Sequence, residues 1–437
     1  MESRRSDEGT RSTGATRRRP GVPILAFGAV LLLLGGALAR ADVAPARAPR
    51  ALEATLETPR SDPRVDPVSL QGQQATGVYL PAVYFQALSV DAALSLARRT
   101  GIDAFTIDLK DGAGRVTYPS SVEVLAPQVV PYLEDPAAIV GALKDAGIYT
   151  IARIVCFADP QLPQRHPERA ILHIRRDEPW TSWGTGGTWL DPFNRDNHAM
   201  IVALAREAEA FGFDEIQLDY VRFPVDEGTQ FARYPAEDGT ARSDLLIELL
   251  DAVDVATRIP LGVDVFGLAA YRDGDPSGLG QDLEAWANHV EVFSPMLYIN
   301  AMRTWQLQTP ERSRVLVQRG VARLRERVGP VPVIRPFLQA FARGAGPEGF
   351  NAEFIHRQVI GARNGGADGF LFWHPGARYG MFRRGMGRAQ RITPFPVPEE
   401  RRAHRASCVP PEADGREARV TLTPRGALDG AGEAALR

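Results

Sequence analysis

Between Gly77 and about Arg391 the apolar and polar positions repeat one unit, a short β-rich run followed by a longer amphipathic stretch. Eight runs qualify as strands: GVYL from Gly77, DAFTIDL from Asp103, YTIARIVCF from Tyr149, EIQLDYV from Glu215, PLGVDVF from Pro260, VEVFSPMLY from Val290, VPVIRPF from Val331 and DGFLFW from Asp368. Segments 91–100, 136–146, 196–211, 243–257, 280–289, 310–328 and 351–364 place their apolar residues at helical spacing. Strands that alternate with helices predict a parallel sheet. Eight strands with seven intervening helices exceed what a doubly wound sheet needs and match an α/β fold of the (β/α)8 type, a TIM barrel with insertions. The barrel is expected over 76–392.

Both ends break this pattern. Residues 1–20 are polar and rich in arginine, and they run into GVPILAFGAVLLLLGGALA, uncharged from Gly21 to Ala39. Residues 1–41 therefore read as a signal peptide or a membrane anchor. Ala37-Leu38-Ala39 and Ala39-Arg40-Ala41 fit a cleavage site, while the apolar run approaches the ~20 residues of a spanning helix, with basic residues holding the N-terminus inside. Either reading places the rest of the chain outside the cytoplasm, secreted, periplasmic or anchored to the cytoplasmic membrane, with membrane contact through this segment if it is retained. Residues 42–75, rich in Pro, Arg, Asp, Gln and Ala, read as a linker, and 393–437 as a flexible C-terminal tail in which VTLTP at 420–424 could form one strand.

Composition removes several function classes. Fifty-one basic residues against fifty-three acidic ones leave a net charge of -2 in 437 residues, so no global field recruits nucleic acid. Two cysteines cannot build a disulfide framework; Cys156, within IARIVCF, reads as a buried thiol, with a bridge to Cys408 as the alternative. The seven histidines show neither H-x-H nor H-E-x-x-H spacing, so no metal site is expected. Gly344 to Gly349 satisfies G-x-G-x-x-G by letter but does not follow the first strand, and no cofactor is expected.

The barrel narrows the search for chemistry, because its active sites lie at the C-terminal ends of the strands. Alternate side chains share a face, so Glu215, Gln217 and Asp219 point together. Helices cover the outside, which turns this polar face into the barrel, where polar groups are costly unless paired. Asp219 falls at the rim. The same parity brings Asp264 there from the fifth strand, with Gly262 and Phe266, and Asp108 and Lys110 from the second. Arg153 and Arg335, on the third and seventh strands, could neutralise inward carboxylates and lower their pKa. Ser294, Met296 and Tyr298 come from the sixth strand, and Phe372-Trp373-His374 ends the last as a platform for a sugar face. Trp180, Trp183 and Trp189 cluster after the third strand, as a carbohydrate subsite or as a loop folded on its own aromatic core.

Two rim carboxylates are what glycosidic cleavage requires. Asp219 and Asp264 are therefore the candidate catalytic pair, and Asp108, Lys110, Arg153, Trp189, Arg222, Tyr298, Arg335, Gln339 and Trp373 the candidate substrate-binding set. The competing reading makes the two aspartates buried partners of Arg153, Arg335 or Lys110, and Asp108, Lys110 and Asp111 a salt-bridge cluster.

The segments GVYLPAVYF (77–85), IDAFTIDLKDGAGRVTYPS (102–120), YTIARIVCFADPQL (149–162), WLDPFNRD (189–196), GFDEIQLDYVRFP (212–224), LGVDVFG (261–267), FSPMLY (293–298) and IRPFLQAF (334–341) resemble a bacterial family of uncharacterised glycoside hydrolase barrels. The family is similar, distantly, to α-amylase and α-galactosidase type barrels, and the likeness covers about 76–385. It implies a nucleophile at Asp219 and a proton donor best matched by Asp264, a residue beyond the sixth strand being the other option. After FSPMLY the chain departs, reading INAMRTW where the family pattern implies a Pro-Ser-His-Tyr-like continuation. Val221 stands where a chitinase pattern needs Glu, which disfavours substrate-assisted cleavage. The expected function is hydrolysis of an envelope or extracellular polysaccharide or oligosaccharide by two carboxylates. The alternatives are a catalytically inactive carbohydrate-binding barrel and a metal-dependent hydrolase, the latter requiring carboxylates and histidines to converge.

Overall fold

The computed structural model describes residues 68–184, 186–225, 227–275, 278–302 and 309–389. The signal or anchor segment 1–41, the tail from 393 and Cys408 lie outside the described residues. Eight parallel strand positions follow the predicted runs: β1 Thr76–Leu80, β2 Ala104–Lys110, β3 Tyr149–Val155, β4 Glu215–Asp219, β5 Leu261–Val265, β6 Val292–Pro295, β7 in two pieces (β7a Val333–Ile334, β7b Phe337–Gln339) and β8 Phe370–Trp373. The order is β7b-β8-β1-β2-β3-β4-β5-β6-β7a.

The two ends of this sheet are separated in sequence only by Arg335 and Pro336. Proline has no N–H, so the ladder breaks there. The chain nevertheless bonds to both sides: the Arg335 N–H donates to the Phe293 carbonyl at 2.9 Å, and the Pro336 carbonyl accepts from Leu371 at 2.9 Å. The Leu297 N–H also donates to the Phe337 carbonyl at 3.0 Å. The curled sheet thus closes on itself at β7.

Helices α1 Val90–Thr100, α2 Pro136–Asp145, α3 Arg195–Ala210, α4 Arg242–Ala256, α5 Leu283–Trp286, α6 Arg312–Val328, α7 Ala352–Asn364 and α8 Gly380–Ala389 connect or follow the strands. Local chemistry sets their starts. Asp135 caps α2 through the Ala138 N–H at 2.9 Å with Pro136 at the first turn, and Asn351 caps α7 through the Phe354 N–H at 2.9 Å. Outward residues such as Ile216, Leu218, Val263 and Val265 join the helices in the main core, whereas Tyr79, Ala104, Tyr149, Ile151, Phe337 and Leu371 pack inside the barrel.

Three boundaries depart from the pattern. The segment 280–289 forms only the single turn α5, after Gly280 at φ 79°. Helix α8 was not expected from GMFRRGMGRA, but its Phe382 and Met386 are buried one turn apart and Gly385 lets it sit against Ile355 of α7. The folded unit also begins before 76. Ser69 caps a short helix, Leu70–Gln73, which crosses the N-terminal end of the barrel and accepts a 2.7 Å bond from Arg335 Nη1 at the Gly72 carbonyl. Residues 68–75 therefore belong to the barrel rather than to the linker. Among the described residues no helix is long and apolar enough to cross a membrane.

Candidate functional site

The C-terminal ends of β2, β3, β4 and β5 converge on one guanidinium. Arg153 stands in register with Asp108 on one side and Gln217 on the other, two positions below Asp219, so its long side chain rises to the rim. There Nη1 meets Asp108 Oδ1 at 2.5 Å, and Nε and Nη2 meet Asp219 Oδ2 at 3.1 and 2.5 Å. Asp264 Oδ2 lies 3.8 Å from the same Nε. Sharing that nitrogen brings these oxygens of Asp219 and Asp264 within roughly 7 Å of each other, a ceiling that admits the retaining separation and only the shortest inverting ones.

The surroundings make the carboxyls unequal. Asp219 takes donors on both oxygens, since the Tyr220 N–H binds Oδ1 at 2.6 Å. That bond coincides with a left-handed backbone at Tyr220, φ 55°, which an L side chain rarely adopts; the chain leaves β4 through a strained residue. Asp264 is buried, and its Oδ1 has no hydrogen-bond partner among the described residues. Burial, and then the charge of Asp219, push its pKa well above the usual carboxylate range, against the pull of Arg153. Asp108 is raised to about 6 because burial outweighs Arg153, and it accepts a 2.5 Å bond from the Tyr79 hydroxyl.

Across the rim, half-buried Trp373 packs its ring 6.2 Å from Tyr79, 5.6 Å from Tyr298 and 5.6 Å from Phe341. This wall leaves aromatic surface beside the aspartates. On the other side Arg222 lies 4.8 Å over Trp189, 5.0 Å over Tyr220 and 5.5 Å over Phe266. The structure thus brings together Asp108, Arg153, Asp219, Asp264, Tyr298 and Trp373, with Arg222 on the adjoining edge.

Four candidate contacts lie elsewhere, each for a physical reason. A register shift between Asp108 and Lys110 turns Lys110 away from the rim, where it is fully buried against Asp159 at 2.8 Å and the Val155 carbonyl at 3.0 Å. Arg335 pairs with Glu215 at the closed N-terminal end, and burial still raises the Glu215 pKa against that pairing. Gln339 braces loops: it accepts from the Asn300 N–H at 2.9 Å and donates to the Phe341 and Arg343 carbonyls at 2.8 and 2.9 Å. Trp189 is wholly buried, as is Trp180, whose indole donates to the Gly228 carbonyl at 2.9 Å. The loop after β3 therefore folds on its own aromatic core, with Trp183 at 62% exposure facing solvent. Asp111 pairs locally with Arg115 at 2.8 Å.

Tyr79 and Phe341 belong to the site but were not singled out from sequence. For Tyr79 the signal was present, since it shares a face with Gly77 on β1 and stands beside Thr106 of β2. Phe341 lies beyond β7b, where strand parity no longer orients it. Among the described residues no group of three or more His, Cys, Asp or Glu side chains could hold a metal ion.

A family model described as a putative glycosyl hydrolase domain matches residues 77–379, well over half of the chain. The chain belongs to this family. Among solved structures, a hypothetical protein from Ruminiclostridium thermocellum is 30% identical over 43% of this chain and 97% of its own, with a TM-score of 0.39. The glycoside hydrolase domain of PgaB (BpsB) from Bordetella bronchiseptica is 16% identical over 69% of this chain and 94% of its own, with a TM-score of 0.52, a likeness of fold. An α-galactosidase from Thermus thermophilus is 16% identical over 74% of this chain and 62% of its own, with a TM-score of 0.44. No curated protein matches the sequence.

Proposed function

We propose that this glycosyl hydrolase family member cleaves glycosidic bonds with Asp219 as nucleophile and Asp264 as general acid and base. The observation that carries the reading is the inequality of the two carboxyls at one guanidinium: Asp219 is charge-paired on Oδ2, while Asp264 is buried and unpartnered at Oδ1, and burial beside Asp219 raises its pKa. Asp264 would give its proton to the glycosidic oxygen as the C–O bond breaks. Asp219 would form the bond to the anomeric carbon, and a water deprotonated by Asp264 would then release the sugar. Arg153 fixes both groups, and the Trp373 and Tyr298 rings suit the apolar face of a pyranose. We further propose that the substrate is a polysaccharide or oligosaccharide of the envelope or the exterior, reached because residues 1–41 export or anchor the chain.

The test is release of reducing sugar or aryl leaving group across a glycoside panel, with Asp219→Asn and Asp264→Asn beside the wild type. Both variants should lose on the order of 10³-fold in kcat while still binding glycan. Undiminished release by Asp219→Asn would overturn the assignment, and binding without release by the wild type would leave a carbohydrate-binding barrel.

A further inference from the structure

Among the described residues, the buried cations of the barrel are matched to carboxylates with two exceptions, Arg222 and Arg312. Lys110 has Asp159, Arg153 has Asp108 and Asp219, and Arg335 has Glu215. Arg222 is as deeply buried, at 6% exposure, yet no carboxylate among the described residues lies within ion-pair distance of it. Its one hydrogen bond runs from Nη1 to the Phe223 carbonyl at 3.1 Å. Among the described residues Nε and Nη2, the side edge of the guanidinium, have no partner, and neither is sealed from solvent. Arg312, also buried without a close carboxylate, directs Nη2 to the Ile299 and Met302 carbonyls instead, and so leaves no comparable free edge.

A guanidinium is held this far from water only if something offsets the lost hydration. Three rings do so in part, and they also fix its orientation. Two of those rings follow the proposed catalytic residues directly: Tyr220 comes next after Asp219, and Phe266 lies two positions beyond Asp264 on the same strand parity. The guanidinium therefore packs on rings whose residues adjoin the two aspartates in sequence. A planar pair of N–H donors in this setting complements a carboxylate, which accepts two parallel bonds, better than the single hydroxyls of a neutral sugar.

We infer that Arg222 is an anion-binding element of the substrate site, and that the substrate is a glycan bearing a carboxylate on a sugar at or beside the bond cleaved. The inference rests on the rim being a sugar site but not on which aspartate does which step. Binding therefore tests it apart from turnover.

The decisive measurement is binding of Asp219→Asn protein to an array of carboxylated, sulfated and neutral oligosaccharides, repeated with Arg222→Met and Arg222→Lys added. Carboxylated glycans should bind in preference to neutral and sulfated ones. Arg222→Met should lower that preference by roughly 10- to 100-fold, the worth of a charge-assisted pair, with Arg222→Lys retaining part of it. As a check that needs no substitution at Arg222, glucuronate should bind the wild-type protein more tightly than glucose by calorimetry. Preference for neutral or sulfated glycans, equal binding of glucuronate and glucose, or an acidic preference that survives Arg222→Met would each overturn the inference. Acidic binding without sugar release would overturn only the catalytic reading.

Discussion

Replacing Arg335 by Met tests how well the closed end of the barrel is insulated from water. Arg335 and Glu215 have no exposed side-chain surface, so the substitution leaves a carboxyl in a dry interior with only the Tyr149 hydroxyl, 3.1 Å away, to donate to it. Breaking a buried pair from one side costs about 3–5 kcal/mol, and losing the Nη1 bond to the Gly72 carbonyl adds about 1 kcal/mol. Against a typical total of 5–15 kcal/mol that loss is large. Its pH dependence has a definite sign. Burial already raises the Glu215 pKa, and without the guanidinium it rises further. The native state then keeps a proton that the unfolded chain has released, so stability falls as pH rises above the unfolded value of ~4.3. Urea unfolding followed by circular dichroism and tryptophan fluorescence should show a larger deficit at pH 8 than at pH 5. Arg335→Met with Glu215→Leu should recover much of the loss. A deficit below about 1 kcal/mol, or one that does not vary with pH, would refute the insulated pair.

Other expectations concern the rim. Asp108, raised to about 6, makes the wild-type protein lose stability as pH climbs from its unfolded value to its folded one, and Asp108→Asn should remove a contribution on the order of 2–3 kcal/mol from that slope; identical slopes would contradict it. On the proposed assignment Asp264 carries its proton into the reaction, so turnover should decline toward alkaline pH as its raised pKa is passed, and an alkaline limb left unchanged by Asp264→Asn would argue for another donor. Gly267→Ala should lower both Tm and kcat, since the new Cβ would fall 2.1 Å from the Met296 carbonyl oxygen, a backbone atom that moves only with the loop after β6. Unchanged melting would show that this loop yields freely.

The strand pattern carried the barrel because each strand has one face to helices and one to the interior, and this alternation survives in the residue order of EIQLD and LGVDV. It also carried Asp219 and Asp264 to the rim. The pattern failed where periodicity is interrupted. A register shift after Asp108 redirected Lys110, and the break at Arg335-Pro336 put Arg335 under the barrel instead of over it. For the loop after β3 the residue order left a carbohydrate subsite and a loop-internal aromatic core both open, and burial of Trp180 and Trp189 decides for the latter, with Trp183 alone of the three exposed. The raised pKa of Asp264 was beyond one-dimensional reading, since it depends on burial and on the approach of Asp219 from the neighbouring strand.

The short helix Leu70–Gln73 gives the barrel a direction. The chain enters beneath the strands, across the face that Arg335 locks shut, while the aspartates and the aromatic wall lie at the opposite pole. Cutting at residue 76 would remove this floor and its bond to Arg335, so a shortened form that keeps the base closed should begin no later than Val68.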